Sequence, residues 1–296
     1  MELINFYESV LQYEFLQRAL ITSIIVGVIC GVIGCFIILR GMSLMGDAIS
    51  HAVLPGVAIS YMFGINIFYG AVLTGMVTAL GIGYITQNSR IKSDTSIGIM
   101  FTAAFAVGII VITLMQSSSD LYHILFGNVL AVPRSEMFMT LIVAVIVLVT
   151  VYLFFKELLI TTFDPTMSAA YGLPNKFIHY VLMILLTMST VASLQTVGIV
   201  LVVAMLITPA ATAYLLTNRL WVMIYLSAGV GIISSVTGLY FSFTYNLASG
   251  PTIVVVASVL FALTFFLSPK QGLIWRTIRA RKKRTKLLHS HSKKQS

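Results

Sequence analysis

Charge is what this sequence is short of. Of its 296 residues only 9% are Asp, Glu, Lys or Arg, while 58% are hydrophobic. Soluble domains carry about 25% charged residues, so a water-soluble globular fold is excluded. Segments of roughly ten residues that alternate polar and apolar are also missing, which excludes an outer-membrane barrel. Cysteine is nearly absent. Cys30 and Cys35 lie five residues apart in one apolar run, so they face different sides of a helix and read as packing residues. No G-x-x-x-x-G-K-[ST] loop occurs, so this chain is not expected to hydrolyse ATP. H-E-x-x-H and G-x-S-x-G are missing too, which removes the usual metalloprotease and serine-hydrolase chemistry. The first residues, MELINFYESVLQYEF, hold three glutamates and no Lys or Arg, and no cleaved leader is expected.

What the sequence does have is apolar length. Runs near 16–39, 44–63, 66–86, 95–115, 135–155, 177–195, 197–217, 222–243 and 252–268 approach the length needed to cross a bilayer, about 20 residues. The expected fold is all-α, a polytopic transmembrane bundle of eight to nine spanning helices. The sixth and seventh runs are separated only around Gln195–Gly198. Charge favours nine with an external N-terminus. Arg40, Arg90, Lys92, Lys156, Lys176, Arg219 and the C-terminal basic residues then lie inside, leaving Arg18 and Arg134 outside. Residues 1–269 read as a transmembrane domain and 270–296 as a basic cytoplasmic tail. The net charge of +9 belongs to that tail, which holds ten Lys/Arg and no acid. Anionic membrane lipid is its expected partner, and no nucleic acid is. Gly27 and Gly31 have the spacing that lets transmembrane helices approach closely.

Of the nine carboxylates, Glu2, Glu8, Glu14, Asp94, Asp120, Glu136, Glu157 and Asp164 fall in loops or near helix ends. Asp47, in GDAISHAVLPG, is the exception, because small and apolar residues that must enter the bilayer follow it. An ionisable group there is a functional candidate. His51 follows at i+4 on the same helix face. Pro55 has no N–H for the carbonyl of His51, and Gly56 loosens the backbone beside it. Carboxylate, imidazole and carbonyl together form an oxygen and nitrogen site for a divalent cation. This donor set suits Mn²⁺ or Fe²⁺, with Zn²⁺ also accommodated. Two side-chain ligands suit transit, with water, another helix or a second copy completing the shell. The alternatives are a structural pair, or Asp47 neutralised by Arg40.

Three further places stand out. Between the fifth and sixth runs, Asp164 is placed to cap a helix starting at Pro165. Gly172 suits its end and Pro174 stops continuation. This gives a cytoplasmic helix of about two turns, too short to hold alone without a partner surface. Asp120 and His123 are a candidate outer cation site. Pro209, in MLITPAATAYLL, would free the carbonyl of Met205 and kink a second helix.

These segments carry a resemblance. ILRGMSLMGDAISHAVLPGVAISY, LFGNVLAV, FDPTMSAAYGL and GIVLVVAMLITPAATAYLL, in that order, resemble the metal-ion permease subunits of ATP-binding-cassette importers, over residues 15–268. The resemblance implies a homodimer in the bacterial plasma membrane, bound to a cytoplasmic ATPase subunit on which ATP acts. A metal-binding lipoprotein outside would deliver the ion. It implies no permanent cofactor, and puts the transported metal at Asp47 and His51. It makes Asp164, Pro165, Thr166, Met167, Ser168, Ala169, Ala170, Tyr171 and Gly172 the coupling helix. SHAVLPG looks more like the manganese branch than the zinc branch, which tends to lack the proline. Two rival functions are a proton-coupled secondary metal transporter with Asp47 and His51 as a relay, and a membrane scaffold without transport.

Overall fold

The computed structural model describes residues 2–115 and 129–268. Over these the chain is helical, with no strand. An N-terminal helix α1 (Glu2–Gln12) meets α2 (Glu14–Leu39) at Tyr13. The second apolar run is divided into α3 (Met45–Ala52) and α4 (Leu54–Met62). Next come α5 (Ile67–Asn88) and α6 (Ser93–Met115), and after a short 3₁₀ turn at Val129–Ala131 the chain enters α7 (Arg134–Leu153). Two short helices follow, α8 (Phe155–Phe163) and α9 (Pro165–Ala170). The chain then finishes in α10 (Asn175–Val197), α11 (Ile199–Leu216), α12 (Leu220–Tyr245) and α13 (Ser249–Leu267). Eight of these are long and apolar enough to cross a membrane among the described residues: α2, α5, α6, α7, α10, α11, α12 and α13. Asp120, His123 and the tail 270–296 lie outside the described residues.

The ends of the bundle fix the path of the divided run. Arg40 shares one end with Thr86, Gln87, Thr161 and Lys176. Gly64–Phe68 lie at the other, beside Pro133 and Gln195, where Glu14 also pairs with Arg134. The chain therefore traverses the bundle between residues 40 and 64, and α3 with α4 forms a ninth, interrupted crossing. Arg40, Lys176 and the α5–α6 turn holding Arg90 and Lys92 share one end, as positive-inside topology requires.

Most of α2 and α10 is buried, whereas α6 and α13 are largely exposed. Backbones meet where side chains are smallest. Gly27 lies against Gly231, and a Cβ on Gly27 would stand 3.0 Å from the carbonyl carbon of Gly231. One turn along, the Ser227 hydroxyl donates to the Gly31 carbonyl at 2.8 Å, and that of Ser235 donates to the Ser23 carbonyl at 2.9 Å. The expected Gly27–Gly31 spacing thus joins α2 to α12. In lipid, where apolar surface gains little by leaving its surroundings, such close approach and interhelical bonding hold helices together. Cys30 and Cys35 are buried and free, as packing residues should be. Helix α11 runs through buried Pro209 without ending.

Candidate functional site

The interrupted crossing is built by sequence on one side and by clasping on the other. Pro55 cannot donate to the preceding turn, and the helix breaks at Val53, which keeps helical angles of φ −78° and ψ −13°. The break is a kink rather than an open loop. Gly108 of α6 makes room for it: a Cβ there would lie 2.9 Å from Leu54 Cβ and 3.1 Å from Pro55 Cδ. On α5, Gly70 lies backbone to backbone against Gly56, and the Thr74 hydroxyl is 3.4 Å from the Val53 carbonyl. Gly56 therefore acts as a packing notch; the loosened backbone expected there is not found, because α4 continues regularly through it.

Just before the break, Asp47 and His51 stand on one face of α3. Asp47 Oδ1 is 3.5 Å from His51 Nε2. The side chains keep 48% and 31% of their exposure, so one copy of the chain does not seal either of them inside. The imidazole lies against Phe101 and Phe105 of α6, each ring centre 5.7 Å away, the latter edge to face. These aromatic walls lie near the middle of α6, which places His51 at mid-depth in the bundle. The walls limit the directions the imidazole can take, and its Nε2 is turned toward Asp47.

Arg40 is not the partner of Asp47. Its Nη2 donates to Thr161 Oγ1 at 2.8 Å, its Nε to Thr162 Oγ1 at 3.1 Å, and its Nη1 lies 3.4 Å from His179 Nδ1. Neutralisation by that arginine is thus ruled out as the reason for an acid here. Among the described residues no third His, Cys, Asp or Glu joins the pair. The side-chain donor set from one chain is one carboxylate and one imidazole, hard to borderline ligands that suit a divalent first-row cation held loosely.

The cytoplasmic segment forms as its residues dictate. Asp164 Oδ1 accepts from the Met167 N–H at 2.9 Å and from the Thr166 hydroxyl at 2.6 Å, with Pro165 in the first turn. At the other end Gly172 takes φ +74°. The Leu173 N–H then reaches the Ser168 carbonyl at 3.1 Å and the Gly172 N–H that of Ala169 at 3.0 Å, a paired closure that left-handed glycine makes easy. Ser168 is buried and bonds Asn175. Met167 and Tyr171 stay half or more exposed, next to an apolar recess lined by Leu159, Ile160 and Phe163. Phe101, Phe105 and Gly108 escape a reading of the sequence, since three apolar or small residues in an apolar run carry no signal until α6 is docked on α3.

Known proteins are similar to this chain over most of its length. The chain is 64% identical over 270 residues to the manganese transport system membrane protein MntC of Listeria monocytogenes, covering 91% of this chain and 96% of that one. To the protein of the same name in Halalkalibacterium halodurans it is 62% identical over 280 residues, covering 93% and 96%. Among solved structures, PsaBC from Streptococcus pneumoniae in complex with Fab superposes with a TM-score of 0.82 at 52% identity, covering 91% of this chain and 97% of that one. The ABC 3 transport family matches residues 12–268, a span that holds both the acid–imidazole turn and the capped cytoplasmic helix, and the chain belongs to that family.

Proposed function

We propose that this chain is the membrane-spanning permease subunit of an ATP-driven manganese importer of the bacterial plasma membrane, with ATP hydrolysed by a separate subunit. The observation that carries the site assignment is the acid–imidazole pair on an interrupted crossing at mid-depth, partly exposed and, among the described residues, not paired with an arginine. An ionisable pair kept in that position costs stability unless it serves a purpose. The relatives named for manganese transport support Mn²⁺ as cargo, and the donor set agrees. Fe²⁺ and Zn²⁺ fit the same ligands and are the competing substrates to measure.

In this reading the ion arrives from an extracytoplasmic metal-binding lipoprotein and exchanges part of its water shell for Asp47, His51 and neighbouring backbone oxygen. A second copy of the chain supplies what one copy lacks on the open face. Helix α9, rigid by virtue of its two caps and apolar at Met167 and Tyr171, seats in the ATPase subunit as the coupling helix. Nucleotide-driven movement of that subunit then tilts the helices that carry the site. Asp120 and His123 would offer an outer stop for the ion, and the tail would rest on anionic lipid.

The deciding experiment is Mn²⁺ uptake by vesicles holding this chain with its ATPase subunit. Uptake by Asp47→Ala should fall to background while the two subunits still co-purify. Undiminished uptake by this variant would reject the site. Uptake that needs a proton gradient but no ATPase would favour the secondary transporter instead.

A further inference from the structure

A second polar cavity lies at the cytoplasmic end of the bundle, separate from Asp47 and His51. It encloses about 570 Å³, and Arg40, Lys176 and His179 line it together with Thr86, Gln87 and Ser93. Among the described residues no carboxylate lines it. Asp94 and Asp164 each adjoin a lining residue in sequence, and Asp164 is engaged in capping α9. Arg40 meets two hydroxyls and an imidazole, and no carboxylate lies within ion-pair distance of it among the described residues. Burial lowers its pKa to about 10, so it remains a cation at neutral pH.

The hydrogen-bond pattern here is incomplete on both sides: Gln87 Oε1, which lines the cavity, is a buried acceptor without a partner, and a buried donor is left over as well. A guanidinium only donates, so His179 Nδ1 is the acceptor in its contact with Arg40 and the proton of the neutral ring sits on Nε2. That Nε2 is buried with no partner. A buried donor left without an acceptor is costly. The helices add to the field. Both α6 and α10, each of 23 residues, start at this cavity, at Ser93 and Asn175. Their positive ends converge on it, and the residue before α10, Pro174, offers no side-chain cap.

We propose that this cavity binds a phosphoryl oxyanion, presented by the headgroup of an anionic phospholipid in the cytoplasmic leaflet or by free phosphate. The occupant completes the coordination of Arg40 and Lys176. Because Thr161, Thr162 and Pro165 also line the cavity, it braces α8 and the start of α9 against α2 and α10.

The test uses the full chain in nanodiscs of phosphatidylcholine alone or with phosphatidylglycerol, each with and without inorganic phosphate. Amide exchange over residues 158–170 is the readout. Slower exchange with phosphatidylglycerol and no added phosphate assigns the lipid headgroup. Slower exchange with phosphate in phosphatidylcholine assigns the free anion. Lys176→Gln, exposed at the rim, should raise the half-saturating anion on the order of tenfold, the loss of one charge-assisted contact. Arg40→Gln should abolish the response. No change with either anion, or a response unaltered in Lys176→Gln, would overturn the assignment whether or not Arg40→Gln folds. Metal uptake plays no part in this readout, so its outcome is independent of the transport reading.

Discussion

At the scale of single residues, the site depends on what stands beside Asp47 and His51 as much as on the pair. Gly108 is the sharpest case. A methyl group there would press on Leu54 Cβ and on the Pro55 ring, both of which belong to the break. Gly108→Ala should lower the thermal midpoint in detergent by an amount equivalent to about 1–3 kcal/mol, the usual cost of overpacking. It should also reduce Mn²⁺ uptake more than a matched substitution at Gly98, around which a Cβ finds open space. Equal uptake by the two variants would show that the kink tolerates displacement. Asp47 and His51 were legible in the sequence because charge is scarce: one acid in the wrong place stands out when apolar residues surround it. The aromatic walls and the partners of Arg40 were not legible. Thr161, Thr162 and His179 lie more than 120 positions from Arg40 along the chain, and no periodicity links residues that only folding brings together.

At the scale of elements, α9 shows how far local rules reach. Its start at Asp164 and its end at Gly172 follow from capping chemistry, and both form as the sequence implies. The hydroxyl of Thr166 and the N–H of Met167 hold the Asp164 carboxyl below its usual pKa. Its contribution to the helix is therefore full above the unfolded value, about pH 4, and is lost as pH falls through the lower folded value. Amide exchange in α9 should accelerate over that acid range and stay level from pH 5 to 8. Asp164→Ala should weaken coupling between ATP hydrolysis and uptake, while Asp164→Asn, an equally good cap, should preserve most of it. Steady coupling in the alanine variant would remove α9 from the transmission path. The second apolar run is where local rules gave less. Proline marked the break, but one turn of sequence does not say that α5 and α6 will clasp it through Gly56, Gly70 and Gly108.

At the scale of the whole molecule, the nine passages put residue 88 and residue 245 on opposite sides of the membrane. The native cysteines are buried, so introduced thiols report without interference. Asn88→Cys should react with an impermeant maleimide only from the cytoplasmic side, and Tyr245→Cys only from outside. Labelling of both from one face would refute the path of the interrupted crossing. The positive-inside count could reach this topology because basic side chains are few and unevenly placed. Which helices form the interior it could not say, since α2 and α6 are equally apolar and differ only in how much of each is covered.

The pair on α3 keeps a good part of its surface uncovered, and α6, the wall behind it, is largely exposed. An ion seated there has protein on one flank only. A lone copy in a bilayer would bring that acid and imidazole against acyl chains, an unfavourable neighbour for both. On the proposed reading a second copy covers that open flank, so shelter of the pair from lipid would come from assembly rather than from the folding of one chain.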